Sequence, residues 1–200
     1  MIIGIIGWII VRPGSIPETD NDPFGLSQPR ASAEPTPPVE QPKMSLAPSE
    51  PHRITIEKLG IDAQITAVGL TKNGEMDTPG PKDIVGWYKT GYLPGSRGNA
   101  VLAGHYWHKT GRGIFYNLQQ LAPGDTLRVT TSQRLIYFRV ESSATHLATD
   151  DISKEVFGPS DTARLNLVTC TGPWIEKLQR YRDRFIVFAT FEYEEPLPTH

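Results

Sequence analysis

Ala163-Arg-Leu-Asn-Leu-Val-Thr-Cys170, followed at once by Thr171-Gly-Pro173, is the stretch on which the reading of this chain turns. Its apolar residues recur with period two, the pattern of a strand. Ala163, Leu165, Leu167 and Thr169 then share one face, and Asn166, Val168 and Cys170 the other. The Gly-Pro step predicts that the strand stops there, leaving the thiol at a strand end that faces a loop. Cys170 is the only cysteine in the chain, so an intramolecular disulfide is excluded. A packed small hydrophobe, a metal ligand without cysteine partners, or a nucleophile remain; a strand end suits chemistry better than packing.

Upstream, Gly98-Asn-Ala-Val-Leu-Ala-Gly-His105 reads as a turn, a short apolar strand and a histidine at its end. Downstream, Tyr181-Arg-Asp-Arg184-Phe-Ile-Val-Phe-Ala-Thr-Phe191 reads as a strand rich in β-branched and aromatic residues with an arginine at its entrance. In it Arg184 shares a face with Ile186 and Phe188, and Phe185, Val187 and Ala189 form the opposite one. Further strands are predicted at 53–57, 63–68, 84–88, 126–131 and 135–142. With 100–105, 164–170 and 184–193 they make about eight at close spacing, the pattern of an antiparallel barrel or sandwich. Helical spacing is confined to 113–121, where Ile114, Phe115, Leu118 and Leu121 line up, and to one or two turns at 151–157.

Three motifs in the order histidine, cysteine, arginine resemble those of the sortases, cysteine transpeptidases of the bacterial cell surface. They are Ala103-Gly104-His105; Leu165-Asn-Leu-Val-Thr-Cys170, which resembles the family's Leu-x-Leu-x-Thr-Cys strand; and Arg184 ahead of Phe185-Ile-Val-Phe-Ala189. The resemblance covers residues 53–195 and is nearest to compact, housekeeping-like or actinobacterial-type (class E/F-like) sortases. It implies an all-β fold, a closed eight-stranded β-barrel with one or two short helices. It also implies Cys170 as nucleophile, His105 as general acid and base, and Arg184 as clamp for the substrate carbonyl and oxyanion. The chemistry of the side chains agrees. Acyl transfer needs a nucleophile, a proton donor for the leaving amine and a donor for the oxyanion, and a planar guanidinium suits the last. Thr169, Val168, Trp174, Ile186 and Phe188 are the substrate-binding candidates. They form a groove floored by one face of the cysteine and arginine strands and covered by the loop 171–182.

His52, His108, His146 and His200 carry no motif, and no histidine pair shows zinc-ligand spacing backed by cysteine or carboxylate. No cofactor is expected. Asp150, Asp151 and Glu155 could mimic the loop carboxylates with which some sortases bind calcium, against the plainer reading of an exposed acidic helix start. Papain-type proteases place cysteine before histidine, the caspase Gln-Ala-Cys signature is missing, and Val168-Thr169-Cys170-Thr171 departs from the Ser-x-Gly-Cys pattern of L,D-transpeptidases. A non-enzymatic surface binding module is the reading from another class.

The remainder of the chain supplies the setting. Of 18 prolines, ten lie between Pro13 and Pro51, and a segment so composed cannot bury enough apolar surface to offset its ordering entropy. Residues 12–52 are therefore expected to be a disordered spacer, and 196–200 a short tail. Met1 to Val11 is uninterrupted apolar sequence but as a helix spans only about 16 Å of a ~30 Å hydrocarbon core. It is expected to be the outer part of a membrane anchor, with the catalytic domain outside the cell. Twenty basic against 22 acidic residues leave no dense basic patch, so nucleic acid is an unsuitable partner. The partners implied are surface proteins bearing a C-terminal sorting signal, cleaved at a Leu-Pro-x-Thr-Gly-like sequence, and a peptidoglycan-precursor or pilin amine as acceptor.

Overall fold

A computed structural model of the chain describes residues 49–197. The apolar segment 1–11, most of the spacer 12–52 and the last three residues lie outside the described part.

Ten strands follow in chain order: β1 (Pro51–Ile56), β2 (Ile61–Val68), β3 (Val85–Tyr88), β4 (Gly98–Ala103), β5 (Trp107–His108), β6 (Gly111–Arg112), β7 (Thr126–Thr131), β8 (Arg134–Leu147), β9 (Ala163–Ile175) and β10 (Arg180–Pro196). Eight of them close a barrel in the order β1-β2-β3-β4-β9-β10-β8-β7, and β5 pairs with β6 as a separate small hairpin. The pairs β2–β3 and β4–β9 are parallel; the other neighbouring pairs of the barrel are antiparallel. The one α-helix, α1 (Ser153–Phe157), lies in the connection between β8 and β9.

The alternation read from the sequence sets the inside of the barrel. Leu165 and Leu167 of β9 and Phe185, Val187 and Ala189 of β10 point inward. They meet Ile54, Ile56, Ile65, Trp87, Leu102, Leu127, Val129, Ile136 and Phe138 in one buried cluster. Each large side chain so buried contributes about 1.5–3 kcal/mol. The segment 113–121 plugs this core with Phe115, Leu118 and Leu121, but it is no α-helix. Successive i→i+3 bonds, Tyr116 N to Gly113 O, Leu118 N to Phe115 O and Leu121 N to Leu118 O, make a chain of turns with a 3₁₀ stretch at Leu118–Gln120. Tertiary bonds at its start, Ile114 N to Lys82 O and Phe115 N to His105 O, hold the backbone away from a regular helix.

Three strands run past their expected ends. β9 and β10 continue through the supposed loop 171–182 as a hairpin, with Tyr181 opposite Trp174 and Arg180 opposite Ile175. Gly172 and Pro173 together oppose Arg182 as a bulge. Gly172 has φ 75°, a left-handed conformation that favours glycine, and a proline is tolerated at a bulge because no ladder donor is required there. β8 reaches Leu147 through a second bulge, where Glu141 is the extra residue between Val140, paired with Ala189, and Ser142, paired with Phe188. Because side chains alternate, one inserted residue exchanges the faces. Ile136, Phe138 and Val140 are core residues, whereas Ser142, Ala144 and His146 stand on the outer face.

That outer face carries a second, smaller core. Val101 of β4, Ile186 and Phe188 of β10 and Val156 of α1 are buried together, with Val168, Ala144, Ile152 and Phe157 packed around them. Two asparagines fasten the helix. The Nδ2 of Asn166 donates to Val156 O at 2.8 Å, and the Nδ2 of Asn99 donates to Gly158 O at 2.9 Å. Both occupy strand positions that would otherwise be apolar, and both satisfy carbonyls at the C-terminal end of a helix too short to do so itself.

Candidate active site

Register brings the three chemistry-bearing residues side by side. Arg184 is the direct cross-strand partner of Cys170. β4 runs parallel to β9 with Ala103 beside Val168, so the chain leaving β4 carries His105 to the level of Cys170. Two bonds fix this exit, Gly104 N donating to Val168 O at 3.1 Å and the Thr169 hydroxyl donating to Gly104 O at 2.8 Å. Cys170 and Arg184 thus stand side by side on the outer face of the barrel, and His105, two residues past the end of β4, completes the row at the level of Cys170.

Each member has a defined environment. Cys170 is partly buried and carries a free thiol. Burial pushes its pKa up, and the positive charge of Arg184 works against that rise. The thiol is therefore held largely protonated, with Arg184 as the charge that favours the thiolate. The Nε2 of His105 lies 2.6 Å from the carbonyl of Pro79. A carbonyl can only accept, so Nε2 carries a proton and Nδ1 remains to exchange one. Gly113 packs so closely on the His105 backbone that a Cβ there would collide with its carbonyl. Arg184 donates from Nη1 to Tyr181 O at 3.3 Å and to Asp183 O at 3.1 Å. Those two bonds turn the guanidinium along its own strand and leave the rest of the fork for a ligand.

The structure sorts the substrate-binding candidates. Val168 stands half-buried on the same face as Cys170, two residues away. Trp174 is 46% exposed on the hairpin beyond the bulge, its Nε1 donating to Glu176 Oε2 at 2.8 Å. Thr169 is corrected. It faces the interior, 3% exposed, and its hydroxyl anchors the turn that leads to His105 instead of touching a ligand. Ile186 and Phe188 are corrected as an open floor, because α1 covers them and Ile186 is fully buried. Asp150 and Asp151 accept backbone bonds from Leu147 N and Ser153 N, and Glu155 faces His146. Among the described residues no three His, Cys, Asp or Glu side chains gather as a metal site.

Sequence reasoning missed an aromatic arc beside the row. Trp174 meets Tyr181 edge-on at 5.2 Å, Tyr181 meets Tyr106 at 5.5 Å, Tyr106 stacks on Tyr116 at 4.9 Å, and Tyr116 meets Trp107 at 5.8 Å. The guanidinium of Arg112 lies 4.5 Å above the Tyr116 ring. The arc links the β9–β10 hairpin to the β5–β6 hairpin, and burial first, then the negative charges that Cys170 and Tyr106 carry when ionised, raise the Tyr181 pKa. The only signal was Tyr106-Trp107 directly after His105, which period-two reading passes over because these residues lie outside the long strands.

The family model for the Sortase domain matches residues 54–192. No curated protein matches the chain significantly. Among solved structures, sortase A of Listeria monocytogenes superposes with a TM-score of 0.58 at 19% identity, covering 76% of this chain and 93% of that one. Sortase E1 of Streptomyces coelicolor gives 0.57 at 21% identity, covering 74% and 91%. A Clostridium perfringens sortase D5 transpeptidase gives 0.55 at 25% identity, covering 72% and 79%.

Proposed function

Because the chain belongs to the sortase family, we propose that it is a transpeptidase in which Cys170, His105 and Arg184 cut a peptide sorting signal resembling Leu-Pro-x-Thr-Gly and pass its acyl part to an amine. The observation that supports this reading most is the pairing of a lone thiol with Arg184 on the adjacent strand, with His105 leaving β4 at the same level. The Cys170 thiolate attacks the Thr–Gly carbonyl, and the guanidinium of Arg184 stabilises the oxyanion that forms. Collapse breaks the C–N bond, and the leaving glycine amine takes a proton from His105. The product is a thioester on Cys170. An incoming amine, deprotonated by His105, attacks the same carbonyl; the thiolate leaves and an amide results. The His105 proton and the Cys170 thiolate are both regenerated and the acyl group leaves on the acceptor amine, so no reactant beyond peptide and amine is needed.

Two features favour transfer over hydrolysis. The aromatic arc supplies apolar surface near Cys170 against which a bound peptide would displace water. Its ring faces also suit a cationic amine on its way to His105, since they attract the ammonium without fixing it as one. The setting is read as the bacterial cell envelope, with residues 1–11 as membrane attachment and a peptidoglycan-precursor or pilin amine as acceptor. None of the described residues forms a helix long and apolar enough to cross a membrane, and 1–11 lies outside them. Intact-mass measurement of the protein after brief exposure to such a signal peptide tests the reading. A covalent adduct of the acyl fragment, released by hydroxylamine and missing in Cys170→Ala, is expected. No adduct with any signal peptide, despite peptide cleavage, overturns it.

A further inference from the structure

The row does not stop at Arg184. His146 of β8 is the direct partner of Arg184 on the side away from Cys170, and the Glu141 bulge is what turns it to the outer face. Side chains so paired have Cβ atoms about 4.5–5.5 Å apart, so the two side chains leave the sheet as neighbours on the outer face. Its Nε2 is buried without a hydrogen-bond partner, although the Glu155 carboxylate of α1 lies 3.9 Å away. A buried ring nitrogen left just outside bonding distance of a carboxylate is costly for a fold to retain. Glu155 is half exposed and borders a cavity of about 640 Å³ between α1 and β8. An ion pair in such a position contributes little to stability. Neither packing nor stability accounts for the pair.

We propose that His146, linked to Glu155, is a positioning residue for Arg184. It walls off the space next to the guanidinium on the β8 side and ties that wall to α1. Arg184 needs such a wall. Its two protein bonds are both made by Nη1 to backbone carbonyls of its own strand, and no carboxylate among the described residues is hydrogen-bonded to it. Asp183, the nearest acid in sequence, is bonded to Arg182 through both oxygens. Of the charged groups around His146, Arg184 comes from β10 and Glu155 from α1, while Asp151 and Lys154 of the same connection line the cavity beyond. With the imidazole in place the guanidinium keeps its course along β10, next to Cys170. Without it the guanidinium swings towards β8, and Cys170 loses the charge that favours its thiolate.

The inference rests on the assignment of Arg184 above, and its test separates the two. The pH midpoint for alkylation of Cys170 by iodoacetamide is measured in the full chain alongside steady-state kinetics on a signal peptide. His146→Leu removes the link at similar volume. It is expected to raise the alkylation midpoint by about half a pH unit, a fraction of what an adjacent cation supplies. kcat should fall about tenfold with KM within about twofold, and the melting temperature should not change. Glu155→Leu is expected to do the same, the double variant no more than either, and His146→Gln, which keeps a polar N–H facing Glu155, to stay near wild type. A wild-type midpoint and kcat in His146→Leu, or additive losses in the double variant, overturns the proposal while the site assignment stands. If Arg184→Ala itself fails to raise the midpoint, the assignment falls and the proposal with it.

Discussion

The two faces of β9 and β10 are built from alternating residues of the same strands, yet they obey different rules. The inner face, Leu165, Leu167, Phe185, Val187 and Ala189, is sealed against the rest of the barrel and tolerates no void, and the Thr169 hydroxyl on that side is bonded to Gly104 O. The outer face carries a thiol, an arginine and an asparagine among its apolar residues, and it is covered only in part by a five-residue helix. One face holds the molecule together; the other can therefore afford residues that do chemistry. The rigid inner face is also what fixes the outer row, since Cys170 and Arg184 are held in register by the same ladder that packs Leu167 against Val187.

This division is open to attack by substitution. The largest effect is expected at Cys170: Cys170→Ala should lower peptide cleavage by about 10⁴-fold or more with an unchanged melting temperature, as read by fluorogenic assay and calorimetry. Retained turnover would remove the outer face from the chemistry. Next comes Arg184→Lys, which keeps the charge but loses the fork. A fall in kcat of about 10²–10³-fold is expected, and a variant as active as wild type would show that charge alone suffices. On the inner face, Leu167→Ala should cost about 2–5 kcal/mol in urea unfolding while the residual folded protein keeps its kcat. A large loss of kcat at full occupancy of the folded state would blur the division. The smallest effect is expected at the join between the faces. Asn166→Ala leaves the Val156 carbonyl without its donor and should cost about 1–3 kcal/mol, with faster hydrogen exchange confined to α1 and its flanks.

What could be read from the sequence follows the same line. Alternation in 163–170 and 184–191 gave the correct faces, because a strand with one side in a core must place every second residue there. It also set Thr169 opposite Cys170, which is where the structure puts it; its assignment to substrate followed sequence neighbourhood and not parity. Bulges were not legible. Nothing in Val140-Glu-Ser142 marks the extra residue that turns His146 outward, and Gly172-Pro173 gives the same signal for a loop as for a bulge in a continuing hairpin. The turns at 113–121 were read as a helix because i, i+3, i+4 spacing is shared by an amphipathic helix and by a chain wound in successive i→i+3 turns. The bonds from Ile114 N to Lys82 O and from Phe115 N to His105 O, both tertiary contacts, distinguish them. The arc from Trp174 to Trp107 joins three segments that are far apart in sequence, so no local pattern could reveal it.

The most direct test of the outer row as a transferring site, and not merely a cleaving one, is mass spectrometry of the products from a Leu-Pro-x-Thr-Gly-type peptide incubated with and without a glycine-type or diamino-acid amine. The account predicts that added amine raises turnover and diverts the acyl fragment from free acid to amide. Free acid alone with every amine, at a rate independent of its concentration, would contradict it and make this barrel a cysteine peptidase.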